Sequence, residues 1–76
     1  MYKINEVDYI MDFESGDISF DNFLKLFCNL VESGQASTLQ GDYGRTAQSL
    51  LNRQFIIKKN NHYIINSPKV AEFLNN

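Results

Sequence analysis

Between Ile18 and Gly34 the apolar residues Phe20, Phe23, Leu24, Phe27, Leu30 and Val31 recur at intervals of three and four, with Asp21, Asn22, Lys25, Asn29 and Glu32 between them. That is the helical period, so the segment predicts an amphipathic helix whose stripe faces a core and whose polar residues face solvent. Its start is marked by Ser19, which can cap the free amides of the first turn, by Ile18, placed to pack on Phe23 as a hydrophobic staple, and by Asp21 at the positive end of the helix dipole. Gly34 ends it. With 76 residues in the chain, this stripe belongs to one core and one domain, spanning residues 1–76.

The remaining segments read more briefly. Val7, Ile10 and Met11 place apolar groups on one face of a short helix from Glu6 to about Glu14, which Ser15-Gly16 closes. Gln35 to Gln40 has room for a turn or two of helix. Gly41-Asp42-Tyr43-Gly44 marks a tight reversal. From Arg45 to Gln54, Ala47, Leu50 and Leu51 gather on one side of a helix and Arg45, Gln48, Ser49, Asn52 and Arg53 on the other. Phe55-Ile56-Ile57 and Tyr63-Ile64-Ile65 are β-branched and aromatic runs flanking Lys58-Lys59-Asn60-Asn61-His62, which predicts a β-hairpin with a basic tip. Ser67-Pro68 then reads as a cap followed by proline at the first helical position, and Val70, Phe73 and Leu74 give a closing helix its apolar face.

Composition narrows the function classes. Apolar residues make up 43% of the chain and aromatic ones 13%, enough for a packed interior. The single cysteine, Cys28, cannot form an internal disulfide, and no basic-then-apolar leader opens the sequence, so the expected compartment is the cytoplasm, a host cell's in the reading reached below. The longest apolar runs span three residues (Phe55-Ile56-Ile57 is one), far short of a membrane helix, and no membrane association is expected. The net charge of −2 hides an asymmetry: residues 1–34 set two lysines against seven acids, a balance of −5, whereas residues 35–69 set five basic side chains against Asp42, a balance of +4. Such a division hints at an anionic partner for the second half, although small domains often carry lopsided surfaces.

Catalytic chemistry finds little to work with. Gly16 to Phe23 echoes the second half of a calcium-binding EF-hand loop, but with Gly16 at the sharp-turn position the first and third ligand places fall on Met11 and Phe13, and the closing acid on Asn22. Helix capping accounts for the echo. One Cys and one His are too few for a metal site or a nucleophilic triad, Cys28 reads as a small buried hydrophobe, and His62 reads as an exposed turn residue. Gly41 and Gly44 lack the lysine and Ser/Thr of a phosphate loop. Nothing gathers the front-half carboxylates into a desolvated cleft. The chain is therefore expected to be no enzyme and to use no metal or cofactor.

What remains, from Gln35 to Ile65, is a short helix, a turn, a helix with a polar outer face, and a hairpin. This is the element order of winged-helix domains, so the expected class is α+β: a small helical domain with a helix-turn-helix and a β-hairpin, winged-helix-like. In that arrangement the second helix enters the major groove, where Arg45, Gln48, Ser49, Asn52 and Arg53 are suitable residue types, and Lys58 and Lys59 would touch phosphates. Five basic groups give only a modest electrostatic attraction, and the acidic front half opposes it.

The stretch Leu39-Gln40-Gly41-Asp42-Tyr43-Gly44-Arg45-Thr46-Ala47, with Glu14-Ser15-Gly16 and Glu32-Ser33-Gly34 before it, resembles a family of small proteins encoded by tailed bacteriophages. Their pattern runs from an acidic "ESG" turn through a Phe-rich helix and a second "SG" to "LQGxYGRTA". The resemblance covers roughly residues 8–56. It brings no biochemical activity with it, and it implies that Gly41, Tyr43, Gly44 and Arg45 serve the family's common purpose. Many members of this pattern stop soon after that helix, so the hairpin and closing helix are expected to be an addition. The combined expectation is a small accessory protein of phage type that binds a host or phage protein stoichiometrically, in a regulatory or anti-defence role, with a winged-helix DNA-binding regulator as the alternative. The contact residues are expected among Tyr43, Arg45, Gln48, Ser49, Asn52, Arg53, Lys58 and Lys59, with a protein partner ranked ahead of DNA. A homodimer would help so short a chain bury enough apolar surface.

Overall fold

The computed structural model describes residues 1–75, and it is built around the helix that the sequence marks most clearly. The elements are α1 (Glu6–Ser15), α2 (Phe20–Ser33), a 3₁₀ turn (Gln35–Ser37), α3 (Tyr43–Asn52), β1 (Ile56–Lys59), β2 (His62–Ile65) and α4 (Ser67–Leu74). Four helices and a two-stranded antiparallel hairpin make a mixed α+β domain of winged-helix-like arrangement.

The α2 boundaries follow from its caps. The Ser19 hydroxyl accepts a hydrogen bond from the Asn22 amide at 3.2 Å, and Gly34 closes the helix at φ 82°. The outward polar face, however, is narrower than periodicity predicts. Leu24, Leu26, Phe27, Cys28, Asn29 and Leu30 are all buried, because α2 is covered by β2, by α1 and by the 3₁₀ turn together. A helix enclosed on several sides cannot keep a solvent face at every polar position. Asn29, only 2% exposed, therefore needs partners, and it finds them in the N-terminal segment: its Oδ1 accepts from the Tyr2 amide at 2.8 Å and its Nδ2 donates to the Tyr2 carbonyl at 2.7 Å. Full burial of a Leu or Phe side chain such as Leu26 or Phe27 stabilises the fold by about 1.5–3 kcal/mol.

Helix α1 corrects a second expectation. Its cap is Asn5, whose side chain accepts from the Asp8 amide, and Gly16 ends it as predicted. Val7 and Met11 do not face the core. They are 67% and 62% exposed, and Tyr9, Ile10 and Phe13 turn inward instead. The reason is aromatic: Phe13 lies 5.8 Å from Phe23, 5.3 Å from Phe27 and 5.2 Å from Tyr43, centroid to centroid. All six phenylalanines and Tyr43 form one connected run of rings, passing from Phe13 and Phe27 through Phe23 and Phe20 to Phe55 and Phe73.

The hairpin pairs Ile56 with Ile65, Ile57 with Ile64, Lys58 with Tyr63 and Lys59 with His62. Its connection is the two residues Asn60 and Asn61, at φ 52° and 67°, a left-handed pair that asparagine accepts better than most residues. The outer edge of β2 is not left open: the Tyr63 amide donates to Glu32 Oε1 at 2.9 Å and the Ile65 amide to the Tyr2 hydroxyl at 3.1 Å. Two side chains thus occupy the backbone donors that would otherwise template another strand. Helix α4 begins at Ser67, one residue earlier than expected. Asn66 holds the cap position and Pro68 is the second helical residue, while the Asn66 side chain donates to the Gln54 carbonyl at 2.9 Å.

Candidate functional site

The outward face of α3 is where the sequence placed its candidates. Ala47 and Leu50 are buried and Leu51 half-buried, which turns Arg45, Gln48, Ser49, Asn52 and Arg53 to solvent in a strip about 12 Å long. Gln48 Nε2 donates to Asn52 Oδ1 at 3.0 Å, so these two amides are held parallel to the helix axis. The Arg45 guanidinium approaches only Asp42, at 3.9 Å, and both side chains remain largely in solvent. The strip can offer hydrogen-bond donors and two positive charges to a flat or grooved surface. Among its own side chains there is no carboxylate, histidine or thiol that could do chemistry.

Tyr43 does not belong to that strip, which corrects its assignment as a contact residue. It is 6% exposed, its ring lies among Phe13 and Phe27, and its hydroxyl donates to Glu14 Oε2 at 2.7 Å. Burial, reinforced by the Glu14 hydrogen bond, pushes its pKa up to about 12. As the first residue of α3 it lies against the end of α1, so it fastens the two helices rather than meeting a partner. Gly41 beside it is structural as well. Gly41, at φ 85°, makes the turn, whereas Gly44 lies inside α3, where a Cβ would stand 3.4 Å from the Ala36 carbonyl oxygen. The reversal therefore needs one glycine, and at the second a Cβ would reach the 3₁₀ turn only at the edge of ordinary contact. Of the four residues that the resemblance singled out, Arg45 alone presents a free side chain.

The Tyr43–Glu14 bond also has an electrostatic effect. It fixes the Glu14 carboxylate on the side chain of the first α3 residue, while Asp42 holds the N-cap position, so an acid stands at the helix end that would lead into a DNA groove. In the wing, Lys58 and Lys59 lie within β1 rather than at the tip, and as successive strand residues they point to opposite faces of the hairpin. They cannot both address one flat surface. His62, expected at the tip, opens β2 and stands 3.3 Å from Glu32. The backbone hydrogen bond from Tyr63, helped by His62, holds the Glu32 carboxyl below the usual carboxylate range. Glu32 therefore ties α2 to the hairpin.

Sequence reasoning missed two surface features. The outward pair Val7 and Met11 was assigned to the core because two apolar stripes share α1, and only the aromatic weight of the stripe carrying Phe13 distinguishes them. The second is a cleft between the end of α3 and α4, with Arg53 and Lys69 on its rim. No signal in the sequence links those two residues. Cys28 is fully buried, and desolvation, with the nearby Glu32 charge, pushes its thiol up to about 12, so it carries no reactive thiolate. Among the described residues no three His, Cys, Asp or Glu side chains are grouped to hold a metal ion, and no helix is long and apolar enough to cross a membrane.

No curated protein matches the chain, and no solved structure does. A family of domains of unknown function, DUF7417, matches residues 1–73, a span that takes in the hairpin and nearly all of α4. Those elements thus lie within the span of that domain. The chain belongs to the DUF7417 family.

Proposed function

We propose that this protein is a small non-enzymatic accessory protein of phage type that works in the host cytoplasm by stoichiometric binding to a host or phage protein, in a regulatory or anti-defence role. The observation that carries this reading is the outward face of α1. Val7 and Met11 stand exposed one turn apart, and Asp8 and Asp12 beside them are exposed too. Two adjacent apolar side chains set among carboxylates suit a protein surface that is apolar and basic, and they suit a nucleic acid poorly. Asp42 at the start of α3 acts in the same direction.

A second reading, a winged-helix DNA-binding regulator, draws support from the winged-helix-like arrangement and from the exposed strip Arg45 to Arg53 with Lys58 and Lys59 beyond it. Anisotropy titrations with labelled duplex DNA at low and moderate salt separate the two. The protein-binding reading expects no binding at either salt concentration. Tight binding that weakens steeply with salt, and weakens further on Arg45→Ala or Lys59→Ala, would replace it with the DNA reading. For the protein reading itself, a partner captured from host lysate should be lost by a Val7→Asp, Met11→Asp double variant whose circular dichroism is unchanged. Capture by that variant at the parent's level would remove the α1 face from consideration.

A further inference from the structure

At the end of α3 the chain opens a cleft of about 400 Å³ whose other wall is α4. Its floor and side are aromatic. Phe55 is buried, and Phe73, 5.2 Å away centroid to centroid, leaves 49% of its surface to solvent. Arg53 from the α3 end and Lys69 from α4 both line the cleft, and among the described residues neither has a carboxylate within 4.0 Å. Glu72, one helical turn beyond Lys69, adds a single acceptor. Between the two walls Gln54 is held at φ 61°, a left-handed conformation that costs a non-glycine residue roughly 1–2 kcal/mol. It persists because the Gln54 amide donates to the Leu51 carbonyl at 3.1 Å and the Gln54 carbonyl accepts from Asn66 at 2.9 Å. Backbone strain held in place at the mouth of a cleft is a recurrent mark of a ligand site.

We infer that this cleft binds a nucleoside monophosphate unit, with the phosphate between Arg53 and Lys69, the base against the open face of Phe73, and a hydroxyl or amino group donating to Glu72. The charge balance selects among anions. Two cations facing the phosphate can balance the one to two charges of a phosphodiester or monophosphate, and with Glu72 beside them they fall short of a triphosphate. The volume falls at the low end of the range for small-molecule pockets, which fits one nucleotide and no more. The aromatic wall separates this site from a simple anion site, since a base stacks on an exposed ring whatever its sequence identity. The unit is either a free mononucleotide or the terminal nucleotide of a strand.

The inference is tested by following backbone amides by NMR on the full chain during titration with adenosine 5′-monophosphate, a 5′-phosphorylated trinucleotide, or inorganic phosphate. One or both nucleotide probes should shift the amides of Arg53, Gln54, Phe55, Lys69 and Phe73, with half-saturation below about 1 mM. Saturation by the mononucleotide identifies a free nucleotide, and saturation by the trinucleotide alone identifies a strand end. An Arg53→Ala, Lys69→Ala variant, which alters only rim side chains, should weaken binding about tenfold or more. Phe73→Leu keeps the apolar volume, and it should weaken the nucleotide several-fold while leaving any response to inorganic phosphate unchanged. The inference is overturned if neither nucleotide shifts these amides, if inorganic phosphate binds as tightly as the nucleotides, or if the double variant binds like the parent.

Discussion

Replacing Asn29 by leucine tests how the N-terminal segment is held. Leucine has a similar volume, so the packing of α2 survives and the change falls on two hydrogen bonds, to the Tyr2 amide at 2.8 Å and to its carbonyl at 2.7 Å. Each bond of this kind contributes a net 0.5–1.5 kcal/mol or so, giving about 1–3 kcal/mol if Tyr2 is released to water. Tyr2 is only partly buried, so release is open to it and the larger penalty for a trapped, unpaired amide does not apply. A domain of this length has a total stability of roughly 4–11 kcal/mol, so the loss is a sizeable share. At about 4–8 °C per kcal/mol, a loss near 2 kcal/mol lowers Tm by roughly 8–16 °C. Thermal unfolding followed by circular dichroism gives the shift. Amide exchange supplies the location: Ile65, whose amide donates to the Tyr2 hydroxyl, should exchange faster, while exchange in the middle of α2 follows only the global change. A variant that melts within about 2 °C of the parent and protects Ile65 equally well would refute the view that Asn29 fastens this segment.

Three further outcomes follow from the geometry. Tyr43→Phe keeps the ring among Phe13 and Phe27 but removes the bond to Glu14, so stability should fall by about 1 kcal/mol while partner binding is unchanged; in the parent, Tyr43 should ionise only near pH 12, as measured by phenolate absorbance during alkaline titration. Glu32 has a folded pKa below its reference value of 4.5, so its contribution is complete above that pH and is lost as pH falls through the lowered value; Glu32→Gln should therefore flatten the acid limb of a Tm-against-pH curve. Gln54→Gly relieves the left-handed strain at a smaller cost in chain entropy, and should raise stability by up to about 1 kcal/mol in a denaturant melt.

Much of the architecture was legible because it rests on local signals. Ser19, Gly16, Gly34 and the asparagine pair at 60 and 61 act on their own backbone, and the structure uses each as its chemistry suggests. The errors lie where tertiary contacts decide. Asn29 reads as a solvent residue until the N-terminal segment covers it, and Val7 and Met11 read as core until Phe13 takes the inward face. Tyr43 looked like a contact residue because the resemblance singled it out, yet its ring packs into the aromatic core against Phe13 and Phe27. The polar face of α3 was readable from period alone. The cleft was not, since Arg53 and Lys69 are joined only by the way α4 folds back.

The hydrogen bond between Tyr2 and Ile65 joins residues 63 positions apart. A growing chain cannot make it until the second strand has been synthesised, so the Tyr2 hydroxyl must wait for Ile65 long after Asn29 has become available to the Tyr2 backbone. A chain of this pattern that ended after α3 would lack the donor, and the Tyr63 amide that engages Glu32 as well. The polar ties left to residues 1–5 would be Asn29 on Tyr2 and Glu32 on the Met1 ammonium. The hairpin is thus a clasp as much as a wing, and any change that unpairs its strands should first be felt at the opposite end of the chain.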